Sequence, residues 1–149
     1  MRSTISTGGE GGRLAPGLEA TVLIVDEDPE ALDYYASVLW RNGYLVQTCG
    51  SYEESMRLLQ PGLYSLVVVG QGTWRFEGRA VLEHSKKIDW NRPVLVLARC
   101  LDMNCYIEAI QMGAEDYFAG ALPASEIVQA VSRYVHPINP KGSGTPGSA

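Results

Sequence analysis

The chain has 149 residues, a formal net charge of −5, 46% hydrophobic and 19% charged residues, the make-up of one ordinary globular domain and not of a disordered chain. Between Thr21 and Val135 there are 9 Lys and Arg against 15 Asp and Glu, a net of −6 with the signs interspersed, so no basic stripe is present to follow a nucleic acid backbone. Met1 to Ala20 holds five glycines and no apolar run, which speaks against a secretory leader or a membrane span there, and the expected compartment is the cytoplasm.

Residues 1–20, rich in Gly, Ser and Thr, and residues 136–149, rich in Pro and Gly, read as flexible tails around one folded unit at 21–135. Within it strand-like and helix-like segments alternate five times. Thr21 to Val25 is an apolar strand, and Asp28-Pro29 supplies an N-cap and a first-turn proline for a helix over Pro29 to Arg41. That helix carries Ala31, Leu32, Tyr35, Val38 and Leu39 on one stripe and stops at Asn42-Gly43. Tyr44 to Thr48 reads as a second strand. Ser51 with Glu54 three residues on forms a capping box for a helix running to Gln60.

Ser65 to Gly70 is a β-branched run between Pro61-Gly62 and Gly70-Gln71-Gly72, the signature of a central parallel strand buried on both faces. A loop from Gly70 to Gly78 leads into a helix ending at Ile88. Pro93 to Ala98 is the fourth strand; Asp102 caps a helix to Met112, stopped by Gly113. Glu115 to Ala119 is the fifth strand, followed by a helix over Pro123 to Val135 with Ile127, Ala130, Val131 and Tyr134 aligned. Five such units joined by short loops require right-handed crossovers and a parallel sheet covered on both sides, with the functional crevice at the carboxyl ends of the strands.

Cys49, Cys100 and Cys105 are odd in number and lack CxxC spacing, so they read as free thiols rather than a zinc site completed by His84 or His136. Gly70, Gly72 and Gly78 do not form GxGxxG, and GxxxxGK is absent, which removes the dinucleotide and P-loop readings.

The run Val22-Leu23-Ile24-Val25-Asp26-Glu27-Asp28-Pro29 and the run from Ile107 to Tyr117, with Gly113-Ala114-Glu115-Asp116 inside it, resemble the receiver domains of two-component response regulators over essentially all of 21–135. The resemblance implies a three-layer flavodoxin-like sandwich of five βα units with strand order 2-1-3-4-5. It also implies a phosphorelay role, in which a histidine kinase donates a phosphoryl group to an aspartate ending the third strand. Magnesium on an acidic pair, a hydroxyl ending strand four and a lysine ending strand five would neutralise that group.

Asp26 and Glu27 match the acidic pair. The acceptor position falls on Gly70, the hydroxyl position on Ala98 and the lysine position on Gly120, so nucleophile, hydroxyl and ammonium are absent together. The chain therefore reads as a degenerate pseudo-receiver with a vestigial site at Asp26, Glu27, Gly70, Ala98 and Gly120, no phosphoacceptor and no enzymatic activity. No cofactor is expected. Asp26 and Glu27 are the candidate ligands for a magnesium ion, a weak pair without a third carboxylate. Gly70 has a second explanation, a turn that needs a positive φ.

Tyr117 matches the aromatic position of strand five and reads either as a buried strand residue or as a partner contact. Trp74 and Phe76 either fill the vacated pocket or form an exposed contact loop. The implied mode of action is protein-protein interaction with a histidine kinase, another regulator or a second copy as a homodimer, through Met103, Tyr106, Gln111, Tyr117 and Trp74. No output domain is expected within the tail after Val135. The alternative is a small-molecule or metal sensor using the crevice between Gly70, Ala98 and Gly120.

Overall fold

A computed structural model describes residues 20–137; apart from residues 20, 136 and 137, the expected tails lie outside that range. The elements are β1 (Val22–Val25), α1 (Pro29–Arg41), β2 (Val46–Cys49), α2 (Tyr52–Leu58), β3 (Leu66–Gly70), α3 (Arg79–Ile88), β4 (Val94–Ala98), α4 (Met103–Gln111), β5 (Asp116–Ala119) and α5 (Ala124–Ser132). All strands pair in parallel in the order β2-β1-β3-β4-β5. This is the flavodoxin-like arrangement that the resemblance implies.

The pleat explains why β1, β3 and β4 read as unbroken apolar runs. Successive side chains point to opposite faces, and both faces are covered. Leu23, Val25, Val67, Val69, Val94 and Val96 pack with Val81 and Leu82 of α3 and Cys105 and Ala109 of α4. Val22, Ile24, Leu66, Val68, Leu95 and Leu97 pack on the other side with Val38 and Leu39 of α1 and Ile127, Ala130 and Val131 of α5.

The three side-chain caps read from the sequence are formed. Asp28 accepts the Glu30 amide at 3.0 Å, Ser51 the Glu54 amide at 3.1 Å and Asp102 the Cys105 amide at 3.1 Å. Each satisfies an N–H that the first helical turn leaves without a partner. Element ends shift for local reasons. β2 begins at Val46 and not at Tyr44, because the Tyr44 amide closes the end of α1 on Leu39 O at 3.0 Å. Helix α2 stops at Leu58, short of Gln60, and α5 at Ser132, short of Val135, although Val135 still packs into the core.

Two cations are buried at the amino edge of the sheet, away from the crevice. Lys86 Nζ donates to the carbonyls of Trp90 (3.1 Å) and Arg92 (3.0 Å) and pairs with Glu115 at 3.1 Å. Arg92 donates through Nη1 to the carbonyls of Gln60 at 2.8 Å and Leu63. These bonds tie the α2–β3 and α3–β4 connections together beneath the core.

Candidate functional site at the carboxyl edge

Parallel register brings the ends of four strands into one row. Val25 lies beside Val69, Gly70 beside Leu97 and Ala98 beside Ala119. Asp26, Gly70, Ala98 and Gly120 thereby come together, as the sequence predicts. Glu27 is exposed just beyond them.

Gly70 is not the positive-φ turn residue offered as its second explanation; among the described residues the glycines with positive φ are 43, 62, 72, 113 and 120. Its reason is space. A Cβ built on Gly70 would stand 2.3 Å from Asp26 Oδ2 and 2.7 Å from its Cγ. The same crowding applies at Gly78, where a Cβ would meet Gly70 O at 2.1 Å. The end of β3 is held between the Tyr52 hydroxyl, which donates to Gly70 O at 2.9 Å, and the Gly78 amide, which donates to Gln71 O at 3.0 Å.

Asp26 Oδ1 accepts the Asp28 amide at 2.9 Å. Burial pushes the Asp26 carboxyl above its ordinary value, opposed by that amide bond. Asp28 is shifted the other way, first by the Glu30 amide and then by the Arg99 guanidinium, which pairs with it. Arg99 follows directly on β4, and sequence reading passed over it because nothing in its local pattern shows that it reaches Asp28 across the strand ends.

The fit to a magnesium ion is poor. Asp26 points into the space above Gly70 and is already bonded to a backbone amide, while Asp28 is paired with a guanidinium. Among the described residues no three His, Cys, Asp or Glu side chains gather in a metal-holding group. Beside them runs an open groove with mixed walls, including Asp26, Glu30, Tyr34, Ala98, Arg99 and Gly120.

The two aromatics of the loop after β3 face different ways. Phe76 is buried at φ 60° and joins the core cluster under α3, whereas Trp74 is 72% exposed with the Arg75 guanidinium 5.3 Å from its ring. Glu77 closes the loop by accepting both the amide (2.6 Å) and the hydroxyl of Thr73, and these bonds lower its pKa.

Tyr117 is buried, so it is not itself an exposed contact. Its hydroxyl donates to Gln71 Oε1 and accepts the Asp102 amide at 3.3 Å. Its ring meets the Tyr106 ring edge-on at 5.5 Å. Met103, Tyr106, Gln111 and Trp74 are exposed. Leu101, Ile107 and Ile110 belong with them and were missed. The signal was present: Met103, Tyr106, Ile107 and Ile110 follow i, i+3, i+4, i+7, a second apolar stripe on the side of α4 opposite the buried Cys105 and Ala109. The three cysteines are free thiols, Cys49 and Cys105 buried and Cys100 exposed.

A parallel, doubly wound sheet with its acidic pair at the carboxyl edge defines an α/β domain of the flavodoxin-like class. Residues 22–132 match the response regulator receiver domain family. The chain belongs to that family, the receivers of two-component signalling. It is 27% identical over 106 residues to the transcriptional regulatory protein PmrA of Pectobacterium parmentieri, covering 71% of this chain and 48% of PmrA. It is 29% identical over 108 residues to the two-component response regulator ARR11 of Arabidopsis thaliana, covering 71% of this chain and 20% of ARR11. The chain thus spans half or less of the length of these curated relatives. Among solved structures, the CheY-like receiver domain protein of Methanospirillum hungatei JF-1 superposes with a TM-score of 0.70 at 18% identity, over 76% of this chain and 90% of that one. Among the described residues no helix is long and apolar enough to cross a membrane.

Proposed function

We propose that this receiver is a pseudo-receiver that acts without aspartyl phosphorylation and signals by binding a protein. The observation that carries the reading is the position of Asp26, whose carboxylate fills the volume where an acceptor side chain on residue 70 would begin. Transfer of a phosphoryl group to a carboxylate needs a nucleophile, a cation and oriented donors around the transferred group. Position 70 has no nucleophile, Ala98 no hydroxyl and Gly120 no amine. Among the described residues the cation at the acidic edge is Arg99, committed to Asp28.

The contact surface in this reading is the outward stripe of α4 with Leu101 and, at the loop beside it, Trp74. The stripe carries no charged side chain, and Glu108 on its flank is paired with Arg79. An exposed apolar stripe of this kind is more usual at a binding surface than on a monomer's solvent face. The protein that covers it is a second copy, a histidine kinase or another regulator. Sedimentation of the chain alone separates the first from the others.

The test of phosphorylation is direct. Incubation with acetyl phosphate and magnesium, or with a cognate kinase, followed by intact mass is expected to give no acid-labile +80 Da species. Such a species located on residues 20–137 would overturn the reading.

A further inference from the structure

We infer that Gln71 acts as a permanent latch on Tyr117, holding the contact face of α4 in one arrangement irrespective of what happens at the strand ends. The inference rests on the reading of α4 as the contact face and adds how that face is regulated: it is always presented.

Gln71 directly follows Gly70 and is itself 4% exposed. Its backbone is fixed from two sides, by its amide on Leu97 O at 2.7 Å and by the Gly78 amide on its carbonyl. The two ends of its side-chain amide have separate partners. Nε2 donates to Thr73 O at 3.1 Å, which sets the orientation of the group and turns Oε1 toward the Tyr117 hydroxyl. A glutamine that used its oxygen elsewhere would have to abandon the Thr73 carbonyl as well. The acceptor is therefore preset before the tyrosine arrives.

Tyr117 is 7% exposed, and its single hydroxyl both donates to Gln71 and accepts the Asp102 amide. Asp102 is the N-cap of α4. One oxygen atom thus ties β5 to the end of β3 and to the first turn of α4. On the outer side the Tyr117 ring supports Tyr106, a member of the exposed stripe. The ring cannot swing outward without leaving Gln71 Oε1 buried and unpaired, which disfavours the outward position by roughly 5- to 150-fold. Displacing it would also remove the edge contact beneath Tyr106, so ring position and the shape of the stripe are coupled.

The experiment uses the whole chain carrying 13C-labelled tyrosine rings and Met and Ile methyl groups, read by NMR. The wild type is expected to give one sharp set of signals for Tyr117, Met103, Ile107 and Ile110, unchanged by acetyl phosphate with magnesium. Gln71→Met, which keeps the volume and removes the acceptor, is expected to shift or broaden the Tyr117 ring signals and the α4 methyl signals together. Tyr117→Phe is expected to move the same methyls, and the double variant no further than either single one. Tyr117→Phe, which leaves Gln71 intact, serves as the second arm if Gln71→Met fails to fold, and methyl signals that stay at wild-type positions in it would then count against the latch.

Ring and methyl signals that stay at wild-type positions in Gln71→Met, or two exchanging sets in the wild type, would overturn the inference. Intact mass of the same acetyl phosphate sample separates the readings. A +80 Da species with unmoved ring signals would defeat the absence of phosphorylation and leave the latch standing.

Discussion

The Asp26 carboxylate and the Cα of Gly70 share a space that holds only one side chain: a Cβ on residue 70 would lie 2.3 Å from Asp26 Oδ2. The absence of a side chain at 70 and the inward turn of Asp26 are therefore one packing arrangement seen from two residues. Gly70→Ala is expected to cost about 1–3 kcal/mol as overpacking, and distinctly less in an Asp26→Ala background, as measured by a double-mutant cycle of chemical denaturation. By the same geometry Gly70→Asp alone is expected to remain unphosphorylated by acetyl phosphate, since the new carboxylate must first expel the old one.

Asp26 also sets a pH dependence. Burial raises its pKa above 3.8, so the native state holds the proton more tightly than the unfolded chain does. The stability contributed by this group is complete below 3.8 and is lost as pH rises through the higher native value. Asp26→Asn keeps the oxygen that accepts the Asp28 amide and removes the charge. It is expected to raise Tm at neutral pH and to abolish the difference on acidification that this carboxyl causes. Equal pH profiles of the two proteins by calorimetry would show that the group is better solvated than its surroundings indicate.

Gly120 follows β5 at φ +92° with nothing within 4 Å of a built Cβ. Any loss on substitution here comes from the backbone and not from crowding. Gly120→Ala is expected to destabilise by about 1 kcal/mol, read from the urea midpoint at unchanged m. A lysine at this position would carry the same backbone strain.

The two aromatics of the β3–α3 loop differ in what they support. Phe76→Ala is expected to cost about 3–5 kcal/mol by opening the core under α3. Trp74→Ala should change stability by no more than about 0.5 kcal/mol, while weakening whatever association the chain displays by sedimentation or pull-down. A Trp74→Ala protein that unfolds like Phe76→Ala would place that ring inside the fold.

Most of the architecture is written locally. Asp28, Ser51 and Asp102 are recognisable caps because capping depends on residues two or three positions apart. The uniformly apolar β1, β3 and β4 announce a sheet covered on both faces. The places of residues 70, 98 and 120 at the strand ends were likewise countable. What could not be read is contact made across the sheet edge. Asp26 and Gly70 are 44 positions apart, Gln71 and Tyr117 46, Asp28 and Arg99 71. No periodicity carries such pairings, and Gln71, an amide in an apparent loop, gave no sign that it would be buried. Arg92 was hidden for the same reason, because its partners are carbonyls of the α2–β3 connection, and Lys86 because its charge is met by Glu115, 29 positions on.

All three tryptophans, Trp40, Trp74 and Trp90, lie largely in solvent, at 59%, 72% and 63% exposure, and none belongs to the core. The indole emission of the folded protein should accordingly sit close to that of the denatured chain, leaving heat or urea melts nearly silent in this channel. That silence is useful. A blue shift on mixing with a candidate binder would report water leaving an indole at the contact, with Trp74→Phe identifying the ring, against a background that folding itself barely disturbs.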